Sequence, residues 1–346
     1  MKKTIKDIAA ACGVSVSLVS RVINGDDTLR CRPETRDRIL REVEAQRFVP
    51  DYRARSLANG STQMRRSIRI GYVTYKSENR PANPYFDKII EGIKTILTQQ
   101  EYEVSGFYID DVVSLQERKL PLAEKRLDGL ILFGYITPKL IRYLSTQTKY
   151  LSSVYGTEIE NADFVGSDML VTMNLAVDYA VKLGYQRVGV LYGGDSLRDE
   201  ALAAYIAKCG LETDEHFSFV CNNDYEKAYR TVTETLKRSQ SYPRMLLCMN
   251  DEMAIGAMDA VFDCGLRVPD DISIIGHDDI SRARYSRVPL TTVRIYKEEI
   301  GRIVSDLLLE RILYQRRFHV KVFVPCELIV RKSAKKNKEQ GNSHDA

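Results

Sequence analysis

From residue 67 to about residue 333, short apolar segments alternate with longer segments whose apolar residues recur at helical spacing. The strand-like segments are 68–74, 104–109, 130–133, 150–154, 188–192, 217–221, 245–248 and 272–275. The helical segments between them lie near 85–100, 138–146, 169–183, 198–209, 225–238 and 251–264. This alternation predicts an α/β fold with parallel sheets and right-handed crossovers, and about 260 residues are enough for two doubly wound lobes.

Composition narrows the class of protein further. Hydrophobic residues make up 44% of the 346 residues, which excludes a mainly disordered chain, and no apolar run approaches the roughly 18 residues that a membrane-spanning helix needs. The segment from Met1 to Gly13 lacks the apolar core and the cleavage site of a secretory signal, so we expect a cytoplasmic protein. The seven cysteines form no CxxC pair and do not cluster with the four histidines, so we expect no disulfide framework, metal site or cofactor.

Charge is distributed unevenly along the chain. Residues 1–66 contain fourteen Lys and Arg against eight Asp and Glu, whereas the remaining 280 residues contain 37 basic and 39 acidic side chains. A small basic segment on a nearly neutral body is typical of a polyanion-binding module attached to a separate globular unit. A solvated surface gives the same bias, so charge alone leaves both interpretations open.

Residues 4–48 have the periodicity of three short helices. The first helix ends at Gly13, and the second runs from Val16 to Asn24. The third follows Pro33, and its predicted apolar side consists of Ile39, Leu40 and Val43. Two short helices joined by a Gly-containing turn and braced by a third form a helix-turn-helix, although an unrelated three-helix bundle has the same pattern.

In a helix-turn-helix, the second helix enters the major groove and presents its N-terminal side chains to base edges. We expect base contacts from Val16, Ser17 and Arg21, of which Arg21 can donate two hydrogen bonds to one guanine. Polar neighbours suit phosphate contacts, which position the protein without reading sequence. The other members of the predicted DNA-binding set in this segment are Thr4, which also caps the first helix, Ser15, Ser20 and Asn24.

The stretch from Thr4 to Gly25 resembles the N-terminal segment of the lactose/galactose repressor family of bacterial transcription regulators. The matching motifs are Asp7-Ile8-Ala9, Gly13-Val14-Ser15, Val19-Ser20-Arg21-Val22, Asn24-Gly25, Thr35-Arg36, Ile39 and Phe48-Val49-Pro50. Cys12 replaces the family's usual Ala and Phe48 its usual Tyr, and both changes keep a small or flat apolar group. Positions 16 and 17 vary within the family, so the resemblance implies no particular operator sequence.

The resemblance also implies a hinge helix at residues 54–58, within a linker that spans 51–66. This segment is too short to be stable alone, and it would become ordered when paired with its copy from a second subunit in the minor groove. Ala54 and Leu57 would then contact DNA, with Leu57 as the apolar wedge that kinks the central base step. Without the resemblance, the same residues would be interpreted as an ordinary basic linker.

Ligands of doubly wound sheets bind beyond the carboxyl ends of the strands, which selects candidate residues without reference to any family. The strand-end residues are Tyr75, Tyr135, Tyr155, Asp195, Asn250 with Asp251, and His277 with Asp278 and Asp279. Acids, amides and aromatic rings suit the hydroxyls and apolar faces of a sugar or similar polyol. Gly193 and Gly194 form an isolated pair without a GxGxxG pattern, so a dinucleotide site is not predicted.

The resemblance extends over the body to about residue 333 and implies the fold of the first class of periplasmic sugar-binding proteins, with the effector between the lobes. The best-matching segments are 250–256, 268–279, 289–293 and 327–331. By position, Asn250 and Asp278 would bind effector hydroxyls, Arg198 would place its guanidinium on the ligand, and Phe164 would lie against the sugar face. Tyr75 completes the predicted effector-binding set.

Two of these assignments have plain structural alternatives. Asn250 with Asp251 can cap a helix, and Asp278 can take part in a surface ion pair. Tyr205, later in the helix that carries Arg198, also fits the family pattern. His277 replaces the family's usual aromatic residue, so the contact made there is not carried over.

The predicted organisation is a helix-turn-helix domain at 1–50, a hinge and linker at 51–66, a two-lobed effector-binding domain at 67–333 and a polar tail at 334–346. The first lobe would comprise about 67–165 and 296–330, and the second about 166–295. Because the tail contains no leucine heptads, we expect a homodimer rather than a coiled-coil tetramer.

The predicted function is a repressor of sugar-utilisation genes that binds pseudo-palindromic double-stranded operator DNA and is released by a small sugar, with a galactoside as one candidate. The alternative is an effector-promoted repressor that responds to a purine or another metabolite. A sugar-processing enzyme is less consistent with the sequence, because adjacent strand residues such as Asp278 and Asp279 point to opposite sides, so no catalytic residue is predicted. A periplasmic sugar carrier would not need the basic N-terminal segment.

Overall fold

The computed structural model describes residues 5–23, 29, 31–45, 68–74, 84–109, 112–113, 116, 127–156 and 159–337. Its contacts divide the chain into two units, residues 1–66 and 67–346. The smaller unit contains the helices α1 (Ile5–Cys12), α2 (Val16–Ile23) and α3 (Pro33–Ala45). None of the helices in the described ranges is both long enough and apolar enough to cross a membrane.

The helices of the smaller unit enclose a compact apolar core. One fully buried residue from each helix lies at its centre: Ile8, Val19 and Ile39. The Ser15 hydroxyl accepts a hydrogen bond from the Leu18 amide at 3.1 Å and so caps α2. Leu40 is 46% exposed, which shows that its predicted place on the apolar side of α3 is wrong. It follows the buried Ile39 by about 100° around the helix, which turns it toward solvent.

The larger unit contains a first six-stranded sheet among its described residues. Its strands are β1 (Arg69–Thr74), β2 (Glu103–Tyr108), β3 (Gly129–Gly134), β4 (Tyr150–Gly156), β5 (Asp163–Gly166) and β11 (Lys321–Phe323). They lie in the order β11-β5-β4-β3-β1-β2, with parallel pairing throughout. The helices packed on this sheet are α4 (Pro84–Gln99), α5 (Pro138–Gln147) and α11 (Lys297–Tyr314). Together they form the first lobe.

A second six-stranded sheet lies in the same unit. Its strands are β6 (Arg187–Tyr192), β7 (Glu212–Val220), β8 (Met245–Cys248), β9 (Ser273–Asp278), β10 (Thr291–Ile295) and β12 (Cys326–Ile329). In the order β12-β10-β9-β8-β6-β7, all pairs are parallel except β10 with β12. The associated helices are α6 (Met169–Lys182), α7 (Ser196–Lys208), α8 (Tyr225–Arg238), α9 (Asp251–Asp263) and the short α10 (Ser281–Tyr285). Together they form the second lobe.

The architecture confirms the predicted fold class of two parallel-sheet α/β lobes preceded by a helical N-terminal unit. Each of the eight predicted strands is present, although β7 begins five residues earlier than expected and β9 extends to Asp278. Four strands were not predicted: β5, β10, β11 and β12. They have three to five residues each, which is too short for periodicity to distinguish them from loops.

The C-terminal segment departs from the predicted lobe boundaries. We expected residues 296–330 to belong to the first lobe, but β12 lies in the second sheet, antiparallel to β10. The prediction of purely parallel sheets left no place for an antiparallel edge strand, although such edges are common on α/β sheets. Residues 334–337 are also bound to the second lobe, since the Lys335 amide donates to Ser273 Oγ at 3.2 Å and the Asn337 amide to the Leu183 carbonyl at 2.8 Å.

Two glycines allow the helices α4 and α11 to pack with their backbones in contact. A Cβ atom added at Gly301 would lie 2.1 Å from the Ile89 carbonyl oxygen. One added at Gly92 would lie 2.2 Å from the Glu298 carbonyl oxygen. Both obstacles are backbone atoms, which cannot move aside independently, so this contact requires glycine on both helices.

Candidate functional site

The N-terminal half of α2 carries the predicted base-reading residues on the outside of the smaller unit. Val16 is 40% exposed, and Ser17 and Arg21 are exposed as well. Positions 17 and 21 are four residues apart, so they share one face of the helix. Ser15 is exposed and Ser20 is half-buried beside them. The structure therefore places these five residues together, as docking into a groove requires.

Five predicted site residues lie outside the described residues: Thr4, Asn24, Ala54, Leu57 and Tyr75. The predicted hinge helix at 54–58 lies outside them too. The roles assigned to these residues stay predictions.

In the larger unit, polar side chains from the carboxyl ends of both sheets come into contact. Arg198, in the first turn of α7 in the second lobe, donates from Nη1 to the Tyr155 hydroxyl on β4 of the first lobe at 2.9 Å. Its Nη2 donates to the Met249 carbonyl at 3.3 Å. Tyr135, just after β3, donates to the carboxylate of Asp195, the residue that caps α7. The bonds from Arg198 to Tyr155 and from Tyr135 to Asp195 therefore connect the two lobes.

Aromatic rings surround Tyr155 on the first-lobe side. Tyr85, Phe86 and Tyr135 make edge contacts with its ring at centroid distances of 5.9, 6.1 and 6.1 Å. Burial raises the pKa of Tyr155 above its usual value, so its hydroxyl stays protonated at neutral pH. The result is an aromatic wall of four packed rings, three of which carry a phenol hydroxyl.

The two acids at the end of β9 have different partners. The Asp278 carboxylate lies 3.0 Å from His277 Nδ1. Asp279 accepts from Arg294 Nε at 2.7 Å and from Arg331 Nη2 at 2.6 Å, and these bonds outweigh burial to hold the pKa of Asp279 below its usual value. Both acids have positive φ, 107° for Asp278 and 50° for Asp279. The strand therefore ends in a strained turn, and its two carboxylates bind different partners.

Lys297 is a buried cation that holds this turn from the other lobe. Its Nζ donates to the backbone carbonyls of Asp278, of Asp279 at 3.3 Å and of Ile295 at 3.2 Å. Lys297 is the first residue of α11, a first-lobe helix, and the Tyr85 ring lies 6.0 Å from its Nζ. Neither Lys297 nor Tyr85 was among the predicted site residues, because both begin helices and the strand-end rule does not reach them.

Asn250 and Asp251 have structural roles at the start of α9. The Asn250 side chain accepts from the Met253 amide at 2.8 Å. Asn250 therefore caps α9, which is the structural alternative that the sequence offered. Asp251 is fully buried and accepts from Thr292 Oγ1 at 2.6 Å and from the Ile280 amide at 2.8 Å. Burial and the nearby Asp278 raise the pKa of Asp251 well above its usual value. An effector contact by Asn250 stays a prediction.

Phe164 and Tyr205 occupy less central positions. The Phe164 ring packs on Phe323 of β11 at 5.8 Å and extends over Gly166, the last residue of β5. It therefore reaches the strand end, but it makes no cation–π contact with Arg198 among the described residues. Tyr205 donates to Asp178 at 2.9 Å on the surface of the second lobe. Within the described ranges, no three His, Cys, Asp or Glu are grouped as a metal site would require.

Comparison with known proteins gives two family matches and several full-length relatives. Residues 4–51 match the family described as bacterial regulatory proteins, lacI family, and residues 177–334 match the periplasmic binding protein-like domain. The chain is 30% identical over 343 residues to the HTH-type transcriptional repressor PurR of Vibrio campbellii (strain ATCC BAA-1116), covering 96% of this chain and 99% of the relative.

Two examples illustrate the solved structures that share this fold. The complex of the transcriptional regulator CelR with cellobiose has a TM-score of 0.67 and 23% identity, covering 96% of this chain and 100% of that one. The lac repressor dimer bound to operator and the anti-inducer ONPF has a TM-score of 0.65 and 22% identity, covering 97% and 100%. With a helix-turn-helix unit, two α/β lobes and full-length similarity to such repressors, this chain belongs to the lacI family of bacterial regulatory proteins and is a DNA-binding transcriptional regulator.

Proposed function

We propose that this regulator is a homodimeric, cytoplasmic repressor whose operator affinity is controlled by a small sugar bound between the lobes. The observation that carries the proposal is the convergence of a guanidinium, phenols and a carboxylate at the facing sheet edges, around Arg198, Tyr155 and Asp278. Carboxylates and guanidinium groups bind sugar hydroxyls, and the rings beside Tyr155 suit the apolar face of a pyranose. The cellobiose complex of CelR, a structural neighbour, supports this ligand class.

On the DNA side, two copies of α2 would enter successive major grooves of a pseudo-palindromic operator. The exposed Arg21, Ser17 and Val16 would contact bases, while Ser15 and Ser20 would contact phosphates. The lac repressor dimer bound to operator, a structural neighbour, supports this proposal. Thr4, Asn24 and the hinge residues Ala54 and Leu57 complete the proposed contact set.

An effector can change operator affinity only by binding one lobe arrangement more tightly than another. A sugar bound next to Arg198 and Tyr155 would touch both lobes, so its affinity would depend on their separation. Phe164, Asn250, Asp278 and Tyr75 are the other proposed effector contacts. Within this coupling, we propose that binding of a sugar whose utilisation genes are repressed, a galactoside among the candidates, releases the operator.

The test is a mobility-shift assay of the full-length protein on DNA from its own promoter region at modest ionic strength. The panel of candidate effectors added to the assay contains glucose, galactose, ribose, sucrose, cellobiose, melibiose, adenine, guanine and hypoxanthine. We expect specific binding without additive and release by at least one sugar. Equal affinity for promoter and random DNA would contradict the repressor function, and indifference to every sugar would contradict the effector class.

A second candidate is a repressor that binds operator more tightly when a purine or another metabolite is bound. The full-length similarity to PurR favours it. In the same assay, this function predicts that a base of the panel strengthens the shifted band and that the sugars have no effect.

We further propose that the cleft has no catalytic activity. Asp278 and Asp279 bind different partners, so they do not form the closely spaced carboxyl pair that glycoside hydrolysis uses. Incubation with each sugar of the panel should leave it chemically unchanged, which chromatography of the mixture would verify.

A further inference from the structure

The imidazole of His277 is buried near the carboxyl end of β9, and its two nitrogens have different surroundings. The residue is 5% exposed and lies on β9 immediately before Asp278. Nδ1 lies 3.0 Å from Asp278 Oδ1. Nε2 is also buried, but it has no hydrogen-bond partner within the described part of the chain.

The contact with Asp278 determines the tautomer of the ring. A carboxylate only accepts hydrogen bonds, so the proton must lie on Nδ1. Burial lowers the pKa of His277, against the opposing effect of Asp278, so the ring is neutral at pH 7. A neutral imidazole protonated on Nδ1 carries a lone pair on Nε2, which makes Nε2 a hydrogen-bond acceptor.

The neighbouring cations are already engaged elsewhere. Besides Asp278, the charged groups that act on the ring are Arg198 and Lys297. Arg198 donates to Tyr155 and to the Met249 carbonyl, and Lys297 donates to three backbone carbonyls. A buried acceptor without a donor costs free energy, so the Nε2 lone pair favours a donor brought from outside the protein.

We propose that His277 determines effector specificity by accepting a hydrogen bond at Nε2 from a hydroxyl of the bound sugar. This inference rests on the proposed function, in which a sugar binds between the lobes. It adds which groups of that sugar the protein would recognise. The Asp278 carboxylate is the second acceptor of the pair. Two adjacent acceptors suit two hydroxyl donors on neighbouring ring carbons, so the preferred effector is a sugar with a free vicinal diol.

The binding arm of the test uses isothermal titration of the full-length protein with the sugars of the panel. His277→Phe, which supplies an aromatic ring without an acceptor, should weaken the tightest-binding sugar about tenfold or more. His277→Gln, which retains a side-chain acceptor, should lose less. His319→Phe is the matched control, because His319 is exposed in the first lobe, and its affinity should equal that of the wild type.

Monodeoxy analogues of the tightest-binding sugar identify the hydroxyl concerned. One analogue should bind the wild type and His277→Phe equally, because the hydrogen bond is then absent from both complexes. If the parent sugar binds the wild type and His277→Phe with the same affinity, the inference is overturned while the proposed function stands. If no panel sugar binds the wild type, both fail, and the wild-type titration alone reveals it.

A spectroscopic arm reports on the ring directly. In protein labelled with ¹⁵N-histidine, the resonance missing from His277→Gln identifies His277. We expect the Nδ1–H tautomer at pH 7 and a shift of the Nε2 signal on saturation with the sugar. An Nε2–H tautomer, or an Nε2 signal that does not change in sugar-saturated protein, would contradict the inference.

Discussion

The Arg198 guanidinium donates to the Tyr155 hydroxyl across 2.9 Å and so joins a helix of the second lobe to a strand of the first. The donor and acceptor are separated by 43 residues in the chain, and each lies at the carboxyl edge of its own sheet. Any ligand that inserts here must either break this bond or extend it. Whether the hydrogen bond between Arg198 and Tyr155 is intact therefore depends on how the two lobes are arranged.

Removal of the Tyr155 hydroxyl should loosen the lobe contact without disturbing the aromatic wall. Tyr155→Phe keeps the ring contacts but deprives Arg198 of one acceptor, so we expect a loss of about 1 kcal/mol in unfolding free energy. Hydrogen exchange should become faster at the end of β4 and at the start of α7 together. Tyr285→Phe, at a residue that is 79% exposed, should change neither. Faster exchange in only one of the two elements would show that the bond does not couple the lobes.

Arg21 should contribute sequence-specific affinity. Arg21→Ala removes a side chain that can contact one base pair in each half-site, so we expect a loss of about 1–3 kcal/mol that depends on the base at that position. Arg38→Ala removes an exposed cation from α3 and serves as the comparison. Binding titrations with single-base operator variants distinguish the two. A loss for Arg21→Ala that is the same for every operator variant would refute the base-reading role.

Loss of the buried Lys297 ammonium should destabilise the larger unit. Lys297→Met fills a similar volume but leaves the carbonyls of Asp278, Asp279 and Ile295 without their donor, at a cost of about 1–3 kcal/mol. Denaturant unfolding measures the change, and Lys332→Met, at an exposed position, is the control. Equal stability of the two variants would indicate that water replaces the ammonium at no cost.

Asp251 should make the stability of the larger unit depend on pH in a defined direction. Burial raises the pKa of Asp251, so the folded state holds the proton more tightly than the unfolded state does. The contribution of Asp251 to the free energy of unfolding is therefore fully present below the pKa that Asp251 has in the unfolded state. It is lost as the pH rises through the pKa that Asp251 has in the folded state. Asp251→Asn does not titrate.

The stability difference between wild type and Asp251→Asn isolates this term, because all other acids are common to both proteins. Urea unfolding at pH 4.5, 6 and 7.5 should show the wild type losing stability relative to the variant as the pH rises. A difference that stays constant, or that changes in favour of the wild type, would contradict a raised pKa.

The close contact between the helices α4 and α11 should leave no room for a methyl group added at Gly301. Gly301→Ala would place a Cβ atom 2.1 Å from the Ile89 carbonyl oxygen, so the helices must separate at a cost of about 1–3 kcal/mol. Glu299→Ala, on the exposed side of the same helix, should have little effect on the melting temperature. If Gly301→Ala melts at the wild-type temperature, the backbones are not in the close contact that the structure shows.

Sequence patterns identified some, but not all, of the residues that come into contact at the carboxyl edges of the two sheets. Tyr135, Tyr155, Asp195 and Asp278 follow or end long apolar strands, and the strand-end rule identified them because parallel strands carry such residues to one edge. Lys297 and Tyr85 begin helices, and their place at that edge depends on how α4 and α11 pack. No local pattern marks a lysine that will be buried.

The lobe boundary near the C-terminus was not predictable for a related reason. Cys326–Ile329 is four residues long, and its sequence suits either sheet. Its partner is decided by the free edge of β10 and by the ion pair of Glu327 with Arg294 at 3.0 Å. Both are products of the assembled sheet rather than properties of the segment.

Both lobes include segments that are translated late, and this has a consequence for folding during biosynthesis. The first lobe takes α11 and β11 from the end of the chain, and the second takes β12 just after them. Although domains usually fold in order as they leave the ribosome, the first lobe cannot complete its sheet until Phe323 has been translated, and the second lobe cannot do so until Ile329 has been translated. The smaller, helical unit has no such delay, because its three helices end at Ala45. In a nascent chain this unit can therefore fold long before the larger unit is complete.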